Sequence, residues 1–155
     1  MQNFTVAWDA ARLAWVRERV RAHRMPRLPA EAGWRYGCDP EFLAGLWAYW
    51  LDGFDEAKAA AELNRFPQIL ARVEDLDLHA VHVVGEAEGR RPLLLIHGWP
   101  GSIYEFWSVI EPLAFPSRHG GRPEDAFDLV IPALPGFGFS GKPAAPIGPR
   151  TTARR

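Results

Sequence analysis

Apolar positions change rhythm partway along the chain. Residues 9–23 set Leu13, Val16 and Val20 on one helical stripe with Arg12 and Arg19 opposite, which predicts an amphipathic helix. Pro26 and Pro29 are expected to stop it. The loop EAGWRYGCDP follows, and its Asp39-Pro40 pair suits an N-cap and a first helical position. EFLAGLWAYWLDG is apolar nearly all round and carries Trp47, Tyr49 and Trp50, so it is expected to be a helix buried on most sides, closed by Gly53. DEAKAAAELNRF predicts a third helix that starts at Asp55 and ends before Pro67. Residues 1–70 thus read as a helical, aromatic-rich segment, distinct from residues 71–155.

Beyond residue 71 the pattern is strand-like. In LDLHAVHVV, Leu76, Leu78, Ala80, His82 and Val84 share one face. GEAEGRRP is a turn. LLLIHGWP runs four aliphatic residues without alternation, as expected of a strand buried on both faces. Ser102 and Glu105 form a capping box, S-x-x-E, which predicts a helix reaching about Ala114. FDLVIPALP reads as another buried strand. Strand, helix, strand is a βαβ unit with parallel strands and a right-handed crossover. The fold class is therefore α/β.

Charge and composition narrow the function classes. The net charge is −1 with no block of like charge, so nothing favours nucleic acid or an anionic membrane surface. Asp9, Arg12 and Arg17 interrupt the N-terminus, which reads as neither a signal peptide nor a membrane span; a cytoplasmic location is expected. Cys38 is the single cysteine, which excludes an internal disulfide and suits a reducing compartment; it is read as a packing residue. His79 and His82 stand three apart and point to opposite faces of a strand. They and His119 are read as packed or surface histidines rather than metal ligands, and no cofactor or metal is expected. Seven Trp and nine Phe imply a large core, an apolar pocket, or both.

Two strand ends carry candidate chemistry. LPGFGFSGKP spaces Gly136, Gly138 and Gly141 as G-x-G-x-x-G and also reads as G-x-x-x-x-G-K ending at Lys142. Either phosphate motif needs a helix directly after the loop, yet Pro143, Pro146 and Pro149 follow. Pro143 also stands where the triphosphate motif needs Ser or Thr, and no acid follows Gly141 to hold a ribose. The glycines are read as turning the backbone sharply past a strand end. The other strand end is His97-Gly98-Trp99-Pro100-Gly101-Ser102. There Gly98 lets the chain leave the strand, and the next backbone N–H is able to project above the sheet as an oxyanion donor. His97 has the look of a base, but beside the turn it is read as bonding the loop in place. Spacing alone leaves the chemistry open.

LLLIHGWPGSIYEFWSVIEPL resembles the oxyanion-hole strand, loop and helix of epoxide hydrolases in the α/β-hydrolase superfamily. PALPGFGFSGKP is similar to the next strand and loop of those enzymes, and WRYGCDPEFLAGLWAYWLDGFD with AELNRFPQ to their N-terminal domain. The match runs in one order over residues 9 to about 150. HGWPGS together with LNRFPQ points to the microsomal and juvenile-hormone branch; the HG-x-P motif alone also admits dehalogenases and esterases.

The resemblance implies a mechanism for the intact enzyme. An Asp nucleophile opens the epoxide to an alkyl-enzyme ester while two Tyr protonate the ring oxygen. A His oriented by Asp or Glu then activates water to hydrolyse the ester, giving a vicinal diol. Carried over, Trp99 supplies one oxyanion-hole N–H, with a Trp-Pro bond that is often cis, and His97, Gly98 and Pro100 shape the loop. The substrate implied is a small apolar epoxide.

The nucleophile elbow, lid tyrosines, acid and base of such an enzyme have no counterpart in these residues. Gly53-Phe54-Asp55-Glu56-Ala57 mimics the elbow spacing but joins two helices, so Asp55 is assigned to helix capping. No G-x-S-x-G occurs either. The reading is the front part of an epoxide hydrolase, an incomplete α/β-hydrolase fold inactive alone, with open sheet edges, exposed apolar area and a tendency to aggregate. The alternatives are part of another α/β-hydrolase, or a non-catalytic module binding a partner through its aromatic N-terminal surface.

Overall fold

The structure, a computed structural model, describes residues 1–24, 29 and 33–154. These fall into two compact units, one of Val6–Leu63 and one of Met1–Thr5 with Asn64–Arg155.

Within Val6–Leu63 the helices start where capping chemistry places them. Asp9 accepts the Arg12 N–H at 2.9 Å and opens α1 (Ala10–Ala22). Its stripe of Leu13, Val16 and Val20 is half-buried, as amphipathicity requires. Pro26, expected to end it, lies outside the described residues. Asp39 accepts from the Glu41 and Phe42 amides and Pro40 occupies the first turn of α2 (Pro40–Ala48), which continues as a π-helical turn, Tyr49–Gly53. Gly53 closes it, and a Cβ there would stand 2.8 Å from the Tyr49 ring. Asp55 accepts the Lys58 N–H at 3.0 Å and caps α3 (Glu56–Leu63). Glu56 ties the unit together: its carbonyl accepts the Trp8 indole N–H at 2.7 Å and its carboxylate pairs with Arg17.

Two expectations for this unit fail. The segment 41–53 is not buried on most sides, because Phe42, Leu46, Tyr49 and Trp50 are exposed. An apolar helix needs neighbours all round; within its unit this one packs through the π turn on α1 and through ring contacts of Trp47 with His23 and of Phe42 with Trp34, which leaves those four side chains exposed. Cys38 is not a packing residue either. It is exposed in the turn before α2, where the chain runs over the surface.

The second unit is a five-stranded sheet. Its strands are β1 (Gln2–Phe4), β2 (Gln68–Val73), β3 (Leu76–Val83), β4 (Arg91–Leu94) and β5 (Phe127–Pro132), in the order β1-β2-β3-β5-β4. All pairings are antiparallel except β4 with β5, which is parallel as the βαβ reading requires. β1 and the start of β2 lie in the stretch read as helical. The alternation Ile69, Ala71, Val73, and a turn with Glu74 at φ 52°, produce the β2–β3 hairpin.

β3 does not keep one polar face. His79, Ala80, Val81 and Val83 are all buried: β3 lies at the centre of the sheet, and Phe4 and Phe139 pack against His79. β4 shows the opposite departure. Expected to be buried on both faces, it ends the sheet, with Leu94 and Ile96 exposed. The helix expected from Ser102 to Ala114 is broken into a 3₁₀ turn, Ile103–Phe106, and α4 (Ile110–Ala114). Ile110 and Ala114 are fully buried, and α4 packs on β5, where Leu129 and Ile131 are also fully buried. Each such branched aliphatic contributes about 1.5–3 kcal/mol by leaving water. Among the described residues no helix is long and apolar enough to cross a membrane.

Candidate active site

Parallel pairing sends the chain off β4 and β5 in the same direction, so HGWPGS and LPGFGFSG leave the sheet side by side. The ladder runs one residue past β4, where the Leu95 N–H donates to Val130 O at 3.0 Å. His97 then turns inward and is buried. Its Nε2 accepts the Leu134 N–H at 3.1 Å, and its Nδ1 lies 2.9 Å from Gly98 O. That pair of partners requires the neutral ring with the proton on Nδ1, donating to the Gly98 carbonyl. The Phe137 ring packs edge-on against it at 5.1 Å. Both ring nitrogens are thereby occupied, which is what bonding the loop in place demands and leaves no lone pair for base chemistry.

The loop beyond is tight. The Trp99–Pro100 peptide is cis, as the family resemblance implied. Gly98 has a φ outside the left-handed range and open space where a Cβ would stand, so no steric demand for glycine arises there. Gly101 is the constrained position. A Cβ on it would stand 2.8 Å from Gly98 O and 1.9 Å from a Glu105 carboxylate oxygen. Glu105 accepts the Ser102 N–H at 2.9 Å and Ser102 Oγ accepts the Tyr104 N–H at 3.3 Å, completing the capping box. Trp99 is 84% exposed, and its N–H has no acceptor among the described residues.

Four amides of the glycine loop are bonded to backbone carbonyls of the protein. Gly136 N–H donates to Gly141 O, Phe137 N–H to Leu134 O, Ser140 N–H to Phe137 O and Gly141 N–H to Asp77 O. Gly136 and Gly138 take φ of 86° and 50°, which glycine adopts at little cost. A phosphate cradle needs such amides pointing outward, so the geometry supports a structural turn. Ser140 is buried; its hydroxyl donates to Ala133 O at 2.6 Å and accepts the His79 N–H at 3.0 Å.

His79 is wholly buried between Phe4 and Phe139, with Nε2 2.7 Å from Gln68 Oε1. Burial pulls its pKa down to about 4. His82 is half-buried and His119 is exposed. Among the described residues no three His, Cys, Asp or Glu side chains gather where a metal could sit. A cavity of about 510 Å³ lies beside Phe66, Val83 and Phe115, and none of residues 97–102 lines it. Asp55 remains a cap, its carboxyl held below the usual range chiefly by the Lys58 backbone N–H. Gly101, Leu134 and Phe137 were not singled out by sequence. Only Gly101 carried a signal, as the glycine opposite Glu105 in the capping box.

Residues 1–106 match the family described as epoxide hydrolase N terminus, and residues 91–153 match the alpha/beta hydrolase fold. The chain is 41% identical over 140 residues to a Stigmatella aurantiaca protein provisionally named an epoxide hydrolase, covering 90% of this chain and 32% of that protein. The solved structure of Aspergillus niger epoxide hydrolase superposes with a TM-score of 0.84 at 33% identity, over 99% of this chain and 40% of that one. Juvenile hormone epoxide hydrolase from the silkworm Bombyx mori gives a TM-score of 0.80 at 30% identity, over 94% and 34%. The chain spans about a quarter to a third of the length of the curated relatives it matches. A family match over more than half the chain, and a braced HGWPGS loop at the end of a parallel strand, together make this chain a member of the epoxide hydrolase family, with part of an alpha/beta hydrolase fold.

Proposed function

We propose that these residues supply the N-terminal segment and the oxyanion loop of an enzyme that hydrates an apolar epoxide to a vicinal diol. In this reading the Trp99 N–H donates to the oxyanion formed when water attacks the alkyl-enzyme ester. His97, Gly98 and Pro100 hold that N–H in place. The nucleophile, the proton-donating tyrosines and the water-activating base come from outside residues 1–155. One observation carries the reading: a backbone N–H with no acceptor among the described residues, on a loop whose neighbours are bonded down, at the C-terminal end of a parallel strand pair. A preorganised donor of this kind acts where charge develops and costs no reorganisation during reaction.

Two assays test it. The purified 155-residue chain, incubated with aryl and alkyl epoxides, is expected to yield no diol above the buffer rate. Diol formation would place a nucleophile inside these residues. A chimera in which residues 1–150 replace the matched part of the Aspergillus niger enzyme is expected to form diol; a folded chimera without activity would refute the reading. A second reading, a binding module without catalysis, draws on the exposed aromatics Trp34, Tyr36, Phe42, Tyr49 and Trp50. It requires a stable chain with a specific partner and an inactive chimera.

A further inference from the structure

The constraint on Gly101 extends beyond a tight turn. Two groups press on the volume its missing side chain would fill: the Gly98 carbonyl on one side and the Glu105 carboxylate on the other. The same carboxylate accepts the Ser102 N–H, and the same carbonyl faces His97 Nδ1. His97 in turn accepts from Leu134 on the neighbouring loop. The result is one line of contacts running from the β5 loop through His97, Gly98 and Gly101 to Glu105. Trp99 and Pro100 lie between the two pinned glycines.

We propose that Glu105 is a positioning residue for the oxyanion loop. Its carboxylate, seated against Gly101 and bonded to the Ser102 N–H, presses the turn shut and thereby fixes the direction of the Trp99 N–H. Capping the following 3₁₀ turn is the smaller part of its work. The inference rests on the reading of Trp99 as an oxyanion donor, but its test does not depend on turnover. Glycine at 101 follows from the same arrangement, since any Cβ there would evict the carboxylate.

The test uses the isotopically labelled 155-residue chain and the backbone amide resonances of Trp99, Ser102 and Tyr104. Glu105→Ala is expected to speed hydrogen exchange at Ser102 roughly tenfold, the loss typical of a helix-start acceptor, and to move the Trp99 resonance as well. Glu105→Gln keeps an oxygen at the same place and is expected to restore both. Gly101→Ala is expected to mimic Glu105→Ala, and adding Glu105→Ala to it to change nothing further. If Glu105→Ala alters residues 102–107 and leaves Trp99 where it was, Glu105 is a helix cap only and the proposal is overturned. An unchanged Ser102 overturns it too. Neither result bears on whether the Trp99 N–H meets an oxyanion, which ester hydrolysis in the chimera decides.

Discussion

Lowering the pH from 7.5 to 5 is expected to cost this chain about 2 kcal/mol of stability through His79 alone. The imidazole is fully buried, donates from Nε2 to Gln68 and keeps Nδ1 without a partner among the described residues. Protonating Nδ1 would place a charge between two phenyl rings with nothing to accept its hydrogen bond. The folded pKa is therefore about 4, against 6.5 for the free side chain. Between those values the unfolded chain holds a proton that the folded chain refuses, so stability falls as the pH falls through the window. With 1.36 kcal/mol for each unit, the full loss is about 3 kcal/mol below pH 4, and about 2 kcal/mol is already gone at pH 5. Glu86, lowered chiefly by bonds from Ser117, and Asp128, lowered chiefly by bonds from Gly85 and Arg90, lose their own stabilisation mainly as the pH falls into the ordinary carboxylate range, so they add little to a comparison of pH 7.5 with pH 5. Urea unfolding at low micromolar concentration, at pH 7.5 and 5, reads the loss, and His79→Gln is expected to remove it. A wild-type stability flat across the window, or an equal slope in His79→Gln, would show that His79 is not the group responsible.

Three further outcomes follow from single contacts. Gly85→Ala is expected to cost roughly 1–3 kcal/mol in thermal unfolding, because a Cβ would stand 2.5 Å from the Phe127 carbonyl while the Gly85 N–H is held by Asp128; an unchanged melting temperature would contradict that. His97→Ala is expected to lose about 2–4 kcal/mol in urea unfolding, since the buried ring bonds two loops at once; a loss under about 0.5 kcal/mol would reject the brace. Ile96→Lys is expected to reduce self-association in sedimentation velocity, because a charge on an apolar edge blocks strand pairing; a wild-type chain that stays monomeric at high concentration would remove the premise.

Local chemistry was the legible part of the fold. Asp39 and Asp55 cap the helices their positions announced, and the Ser102–Glu105 box forms although it opens only a 3₁₀ turn, because a cap depends on three or four neighbouring residues; the Asp9 cap was not read from the sequence. The parallel β4–β5 pair was legible because strand, helix, strand admits few arrangements. Burial was less so. β3 alternates as if one face were wet, yet that face buries His79 and Val81, with Phe4 and Phe139, distant in sequence, packed on the His79 ring. The apolar runs of α2 and β4 announce neighbours that these residues do not all supply, and Phe42, Leu46, Leu94 and Ile96 stand exposed. At the candidate site the turn was readable from HGWPGS. The bond from Leu134 to His97 spans 37 positions and has no local signature. The orientation of the donor, which the reading depends on, is fixed by that distant contact and by a carboxylate seated on Gly101.

The role of the Trp99 N–H is read most directly from the lifetime of the covalent ester in the chimera, followed by quenched mass spectrometry after a single dose of epoxide. Trp99→Ala keeps the backbone N–H and is expected to hydrolyse the ester at near the parent rate. Trp99→Pro removes that donor together with the indole and the freedom of φ, and Trp99→Ala controls for the lost indole. Trp99→Pro is expected to form the ester and then hold it, with hydrolysis slowed roughly 10²–10³-fold. An ester that clears from Trp99→Pro as fast as from Trp99→Ala would contradict the assignment of Trp99 as an oxyanion donor.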